Sequence, residues 1–293
     1  MKPAPFDYFA PATTEQALTH LAEYGYEAKV LAGGQSLIPM MNFRLAQPSI
    51  IVDINRVSEL AYIRPNEDGG VSIGALTRHT QVEHHPLIAE FAPLIHETMP
   101  HIATVQVRNR GTFGGSLAHA DPSAELAAVS VALDGSFLLR NLQGERWVPA
   151  EEFFIGLFTS VLEPDELLIE AKIPQLPGRT GCALVELSRR PHDFALVGVA
   201  VVLTLDQDNR CQRPRLVFLS VGDGPVIAQQ ASDMLKNQAL TRESMRAAAE
   251  IASRRDIDPG SDIHATAEYR RHLAGILAFR ALEKAYDRAR GNA

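Results

Sequence analysis

At 293 residues, 46% of them hydrophobic and 22% charged, the chain can bury one large core or two to three smaller ones. Its 35 acidic against 28 basic residues leave a formal net charge of −7, which argues against a general binder of the nucleic-acid backbone, since that needs a basic face. The opening "MKPAPFDYFAPATTEQ" has no apolar leader core or twin arginine, and no run approaches the roughly 18 apolar residues of a membrane span, so a cytoplasmic protein is expected.

"TTEQALTHLAEYG" predicts a first helix, with Thr13 as N-cap, Gln16 three residues on, Ala17, Leu18, Leu21 and Ala22 on one face, and Gly25 to end it. "AKVLA" and "SIIVDIN" read as β-strands, and "SLIPMMNFRL" between them as a short helix with Pro39 confined to its first turn. From near Leu60, "LAYIRPNEDGGVSIGAL" reads as a hairpin around "NEDGG". Thr77 is expected to cap the next helix and Pro86 to open another, "PLIAEFAPLIHETM". A glycine cluster, "VRNRGTFGGSLAHADPSAEL", then runs into the helical "SAELAAVSVAL", and "GSFLLRNLQGERWV" reads as a further hairpin.

Beyond Pro174 and Pro177, "ALVELSRR", "LVGVAVVLTLD" and "PRLVFLSVG" read as three strands, the last two parted by the turn "DQDNR". The closing "ATAEYRRHLAGILAFRALEKAYDRAR" is helical, with Tyr269, Leu273, Ile276, Leu277, Ala281 and Ala285 on one stripe. The sum is an α+β architecture in three lobes without internal repeats. The only cysteines, Cys182 and Cys211, lie outside any CxxC motif and are expected to be reduced strand residues. Two thiols do not hold an iron–sulfur cluster, which usually takes four, so a redox role would need an organic cofactor.

Two glycine loops carry the functional signal. "AGGQS", Ala32 to Ser36, lies between a strand and a helix, where successive N–H groups can converge on an anion and the helix dipole assists. Taken alone, such a strand-to-helix turn with two glycines is more often just a turn. It is neither a P-loop nor a Rossmann fingerprint, because both spacings are absent. The second loop, "GTFGGS", Gly111 to Ser116, offers N–H groups expected to be free and the hydroxyls of Thr112 and Ser116. Together the loops suggest a pyrophosphate held from two sides, and FAD is the common pyrophosphate cofactor outside Rossmann folds. Positive φ and close phosphate approach are expected at Gly33 and Gly114.

"AGGQSLIPMMNFRLAQP", "QVRNRGTFGGSLAHADPSAEL", "LEPDELLIEAKIP", "RRPHDFALVGVA" and "AEYRRHLAGIL" occur in that order across nearly the whole chain. They resemble the FAD-binding medium subunit of molybdenum hydroxylases, the carbon-monoxide-dehydrogenase and xanthine-dehydrogenase family. The resemblance implies a two-lobed FAD-binding domain of the vanillyl-alcohol-oxidase/PCMH type, residues 1–56 and 57–177, plus a smaller C-terminal α+β domain, residues 178–293. It implies that Lys29, Ala32, Gly33, Gly34, Gln35 and Ser36 wrap one side of the pyrophosphate and Thr112, Gly114, Gly115 and Ser116 the other. Ile102 falls where the family packs a residue on the cofactor, and Glu125 where it has an acidic contact, with Asp121 a neighbouring candidate. Leu168 or Ile169 would lie against the flavin ring and Asp193 near its edge. Gln35 stands where the family often has His, and Val185 where some members have Lys.

The resemblance also implies partners: a large molybdenum–pterin subunit that hydroxylates the substrate, and a small subunit with two [2Fe–2S] clusters. It implies a dimer of such heterotrimers and an acceptor such as NAD, a quinone carrier or O₂. That division of labour accounts for the lack here of cluster cysteines, metal-ligand spacing and a catalytic nucleophile–base pair. A free-standing FAD oxidoreductase with its own substrate site is the alternative, and a non-catalytic nucleotide-binding module a third reading. His84 and His85 read as a solvent-facing pair. His119 is open to a cofactor or a structural role, Arg108 and Arg110 to pyrophosphate or surface ion pairs, and Arg189, Arg190, Arg270 and Arg271 to partner contacts or solvation. Trp147 reads as hairpin packing.

Overall fold

A computed structural model describes residues 2–291. The first segment runs β1 (Asp7–Phe9), α1 (Thr14–Tyr24), β2 (Ala28–Leu31), α2 (Leu37–Asn42) and β3 (Ile50–Asp53). Its strands form a parallel sheet in the order β1-β3-β2, Asp7 and Ala28 both registering on Ile50. Thr13 caps α1 by accepting from the Gln16 amide, and Gly25 ends it at φ 50°. Gln16 reaches past Thr13 to accept from the Ala12 amide. Ala17, Leu18 and Leu21 then pack on Ile50 and Val52, a stripe of apolar residues closing over a small sheet. Parallel strands joined by crossovers leave their carboxyl-end loops side by side, the usual place for a ligand in such sheets.

The second segment begins with the hairpin β4 (Ile63–Pro65) and β5 (Val71–Gly74). Short helices follow: α3 (His79–His84), α4 (Pro86–Phe91), α5 (Pro93–Thr98), α6 (Val105–Arg108), α7 (Phe113–His119) and α8 (Glu125–Ala132). Next come β6 (Ser136–Arg140), β7 (Glu145–Pro149), α9 (Ala150–Phe153), the ribbon of β8 (Phe154–Gly156) and β9 (Thr159–Ser160), and β10 (Leu167–Ile173). The sheet order is β4-β5-β10-β6-β7, with antiparallel neighbours. Two local expectations change. Thr77 does not cap α3; its hydroxyl donates to the Tyr62 carbonyl at 2.9 Å, and the cap position falls to Arg78. "PLIAEFAPLIHETM" is two helices, because Pro93 disfavours a helical Ala92 (φ −135°, ψ 58°).

The third segment is an antiparallel sheet of β11 (Thr180–Ser188), β12 (Ala195–Leu205), β13 (Cys211–Leu219) and β14 (Val226–Ile227), followed by α10 (Gln229–Leu235), α11 (Arg242–Ile251) and α12 (Ala267–Ala289). One core is formed by β12, β13 and these helices, whereas α8, buried at every residue, packs between α5 and the opposite face of β12 and β13. On α12 the buried stripe is Leu273, Leu277, Ala281 and Ala285 with Ala274, Ala278 and Leu282; Tyr269 and Ile276, placed on it from sequence, are exposed at its edges. Arg270 is buried, donating to the carbonyls of Leu196 and Ser220 and to Asp262, so it ties strand ends rather than facing outward. Cys182 and Cys211 are buried free thiols on β11 and β13. No helix among the described residues is long and apolar enough to cross a membrane.

Candidate functional site

A cavity of about 370 Å³ opens at the carboxyl ends of β2 and β3. Leu31, Ala32, Gly33, Gly34, Gln35 and Ile38 line one wall, and Asp53, Asn55 and Arg110 the other. Among the described residues the amides of Gly33, Gly34, Gln35 and Ser36 find no acceptor in the chain, which leaves four adjacent donors at the loop. The Gln35 side chain folds back to donate to the Gly33 carbonyl at 3.2 Å. Positive φ occurs at Gly34 (75°) and not, as expected from sequence, at Gly33 or Gly114. Gly33 has a different reason to lack a side chain: a Cβ there would sit 2.5 Å from the Arg110 carbonyl oxygen and 2.8 Å from the Gly111 Cα. The two glycine loops therefore touch.

Polar side chains lock that contact. Asn55 Nδ2 donates to the Ala32 carbonyl at 2.7 Å and to Asp53 Oδ1 at 2.6 Å. The Tyr8 hydroxyl donates to Asp53 Oδ2 at 2.6 Å. Arg78 spans the two loops, donating to Asn55 Oδ1 at 2.6 Å and to the Arg110 carbonyl. Partial burial works against ionisation of Asp53, but the hydrogen bonds from Tyr8 and Asn55 and the Arg110 charge outweigh it and hold the carboxyl below its ordinary range. Burial and the neighbouring Arg110 charge pull Arg78 down.

The second loop is built differently from the first. Thr112 caps α7, its Oγ1 accepting from the Gly115 amide at 3.2 Å, and its carbonyl accepts from Ser116. The Phe113 and Gly114 amides donate to the carbonyls of Thr77 and Ala75. The N–H groups expected to be free from Phe113 to Ser116 are thus already used, and the loop offers hydroxyls and close backbone packing instead. Gly114 is buried against β5's exit: a Cβ would meet that of Ala75 at 2.5 Å. Ala75 also donates to the Ile169 carbonyl at 2.9 Å, beside a register shift in β10 between Leu168 and Glu170. One residue thereby links the second loop to the strand carrying Leu168. His79, 5% exposed, donates from Nε2 to the Thr112 carbonyl at 3.0 Å, and burial, with the charges of Arg108 and Arg78, pulls its pKa to about 4.

The remaining sequence candidates are distributed around this junction. Lys29 is exposed on β2 and does not line the cavity. Ile102 and Leu168 are buried in one core. Arg108 is buried; it pairs with Glu83 at 2.8 Å and donates to the carbonyls of Ile102 and Ala103, where the chain bends at φ 44°. Asp121 is half-buried, its carboxylate accepting from the Ser123 amide. Glu125 is buried in the first turn of α8, and Asp193 is paired with Arg190 at 3.0 Å on the turn between β11 and β12. His119 packs on Phe158, and His84 and His85 serve local backbone bonds. No group of metal-ligating side chains forms among the described residues.

Sequence reasoning missed Tyr8, Asp53, Asn55, Arg78 and Ala75. The pair "DIN" at the end of a parallel strand was the available signal for Asp53 and Asn55, since carboxyl ends of such strands gather ligand-facing groups. Arg78 and Ala75 had none, because their roles depend on contacts across the fold.

Residues 4–176 match the family model described as the FAD binding domain in molybdopterin dehydrogenase, and residues 183–285 that of the CO dehydrogenase flavoprotein C-terminal domain. The chain is 43% identical over 290 residues to the 6-hydroxypseudooxynicotine dehydrogenase complex subunit alpha of Paenarthrobacter nicotinovorans, covering 99% of this chain and 97% of that one. It is 37% identical to the carbon monoxide dehydrogenase medium chain of Hydrogenophaga pseudoflava, across 98% and 99% of the two chains. A solved structure of carbon monoxide dehydrogenase from that organism, lacking the Mo-pyranopterin moiety, superimposes with a TM-score of 0.95 at 38% identity, over 98% of this chain and 99% of its own.

Proposed function

The chain belongs to the FAD-binding subunits of the molybdopterin dehydrogenases, and from that premise we propose that it is the electron-transfer flavoprotein of a heteromeric molybdenum hydroxylase. The observation that carries the assignment to particular residues is the contact of the two glycine loops, Gly33 against Arg110 and Gly111, in front of four unclaimed amides. Four adjacent unclaimed N–H donors and Arg110, which lines the cavity, suit a dianionic pyrophosphate. The fit extends to shape, because a Cβ at Gly33 would fill the junction itself.

FAD, when bound, supplies the two-electron store between an iron–sulfur donor and an external acceptor. In this reading the stretch Ala32, Gly33, Gly34, Gln35 and Ser36 binds one side of the diphosphate, and Lys29, exposed on β2 outside the cavity, contributes charge at most from its rim. The second loop forms the other side: buried Thr112 and Gly114 fix its backbone, and Gly115 and Ser116 are its partly exposed members. Ile102 and Leu168 present apolar surface to the ring and keep water from it, while Asp121, Glu125 and Asp193 supply its polar contacts. The cavity of about 370 Å³ would accommodate part of a dinucleotide.

Residues 1–56, 57–177 and 178–293 are the proposed first lobe, second lobe and C-terminal domain. The molybdenum centre and the [2Fe–2S] clusters reside on a large and a small partner subunit, in a dimer of heterotrimers in the cytoplasm, with NAD, a quinone carrier or O₂ as acceptor. Full-length similarity to subunits of dehydrogenase complexes favours this reading over a free-standing oxidoreductase. Purified full chain is expected to show flavin absorbance and to release FAD on denaturation. An apoprotein that takes up no FAD in titration refutes the assignment.

A further inference from the structure

The cavity at the ends of β2 and β3 is not an anion site throughout. Free amides from Gly33 to Ser36 stand on one side, but a carboxylate, Asp53, lines the opposite wall. Held below its ordinary range, that carboxyl is ionised at neutral pH. It repels phosphate, so the part of a ligand that reaches this wall has to bring donors. Oδ1 accepts from the amide and Nδ2 of Asn55 at 2.8 and 2.6 Å, whereas Oδ2 accepts only from the Tyr8 hydroxyl, at 2.6 Å, among the described residues. A carboxylate oxygen takes two hydrogen bonds, which leaves a place open on Oδ2. Asp53 is half-buried and ends a parallel strand, and in dinucleotide-binding sheets an acidic side chain at such a strand end takes a ribose hydroxyl. The rest of the lining is apolar: Leu31, Ile38 and Pro39, the last two exposed. A Cβ on Gly34 would lie 3.1 Å from Ile38 Cγ1 and 3.2 Å from Leu31 Cδ1, so both side chains close on the loop that carries the amides. Apolar surface beside a few placed polar groups suits a flat heteroaromatic base.

We propose that this cavity takes the adenosine end of the dinucleotide: Asp53 accepts from a ribose hydroxyl, Tyr8 and Asn55 position its carboxylate, and Leu31, Ile38 and Pro39 receive the base. The inference rests on the FAD reading above and deepens it, by assigning one half of the cofactor to this cavity and naming the residue that fixes its direction. The two ends have different places to lie. Ile102 and Leu168, the proposed ring contacts, belong to the core of the second segment, whereas Val52 and Ile54, on either side of Asp53, belong to that of the first.

The test is calorimetric titration of the full-length apoprotein with FAD, FMN, ADP and 2′,3′-dideoxy-ADP. Wild type should bind ADP roughly ten- to 150-fold more tightly than the dideoxy nucleotide, the loss expected for one hydrogen bond to a charged group. Asp53→Asn keeps an acceptor for Asn55 and gives the Tyr8 hydroxyl a donor to accept from, so the wall should survive the change. This variant should bind ADP about as weakly as wild type binds the dideoxy nucleotide, and should bind the dideoxy nucleotide no worse than wild type does. A purely structural role, exerted through Asn55 on the first loop, would weaken both nucleotides equally, and that result overturns the inference. The wild-type comparison needs no variant, so misfolding of Asp53→Asn does not shelter the proposal: equal affinities for the two nucleotides overturn it. FMN should not respond to Asp53→Asn; a loss seen with FMN and not with ADP would put the ribityl chain at this wall and overturn the assignment of the adenosine end. FAD bound by wild type with ADP unbound or undiscriminated overturns this inference alone, whereas no FAD binding overturns the functional reading as well.

Discussion

Gly33 and Arg110, far apart in sequence, approach so closely that a Cβ on Gly33 would lie 2.5 Å from the Arg110 carbonyl oxygen. Both groups that would meet it belong to backbone, so neither can swing aside. Gly33→Val should therefore push the loops apart and scatter the four free amides. Overpacking of this kind costs about 1–3 kcal/mol, and if closing the junction on FAD meets that cost the affinity falls by roughly fivefold to 150-fold. Equilibrium titration of the apoprotein measures it, and unchanged affinity would show that the junction is not the cradle.

Gly114 should fail in another way. Its missing side chain faces Ala75 on the exit of β5, not the cavity, so Gly114→Val strikes the core beneath the second loop. The expected result is a fall in thermal stability of the apoprotein, with lost FAD content following from it. Gly33→Val should leave the apoprotein melting temperature closer to wild type. Melting curves of both variants without FAD make the comparison.

How much of this was legible in sequence depends on the range of the contact involved. The α1 caps and the strand hairpins declare themselves through neighbours a few residues away, and these agree with the structure. Arg78 bonds Asn55 and Arg110, at separations of 23 and 32 residues, and no local pattern marks such a residue. The second loop illustrates the same limit: its small residues read as free donors, whereas β5 and the Thr112 hydroxyl already take the amides. Arg270, read from sequence as open to a partner contact or solvation, is buried on the carbonyls of Leu196 and Ser220, because only the packed sheet brings those strand ends beneath α12.

Arg78 ties the first loop to the second through Asn55 and the Arg110 carbonyl. Arg78→Met keeps the stem's volume and removes the tie, leaving two acceptors short of a donor at about 1–3 kcal/mol. FAD affinity should drop, and Asn55→Ala in the same chain should add less than its separate effect, since one network is broken twice. A double-mutant cycle on FAD affinity reads the coupling, and strictly additive effects would count against a shared network.

Burial pushes the Cys182 thiol up to about 11 and Cys211 up to about 12. Neither presents thiolate at neutral pH, and both are enclosed. A thiol reagent should titrate none in the native protein and two after denaturation. Rapid labelling of either cysteine without unfolding would contradict their placement inside β11 and β13.

His79 makes the second loop sensitive to acid. Burial, together with the Arg108 and Arg78 charges, lowers its pKa from 6.5 to about 4, against a raising hydrogen bond to the Thr112 carbonyl. The unfolded chain therefore binds a proton that the folded one refuses, and between these values stability rises with pH. The contribution is fully present above about 6.5, declines as pH falls toward 4, and changes no further below that, with a total on the order of 3 kcal/mol. His79→Gln retains a donor for the Thr112 carbonyl without the titration, so its denaturation midpoint should lose less between pH 6.5 and 4 than wild type does. Chemical denaturation across that range is the measurement. Parallel curves for the two proteins would mean that His79 is not the group that carries the acid sensitivity of the loop.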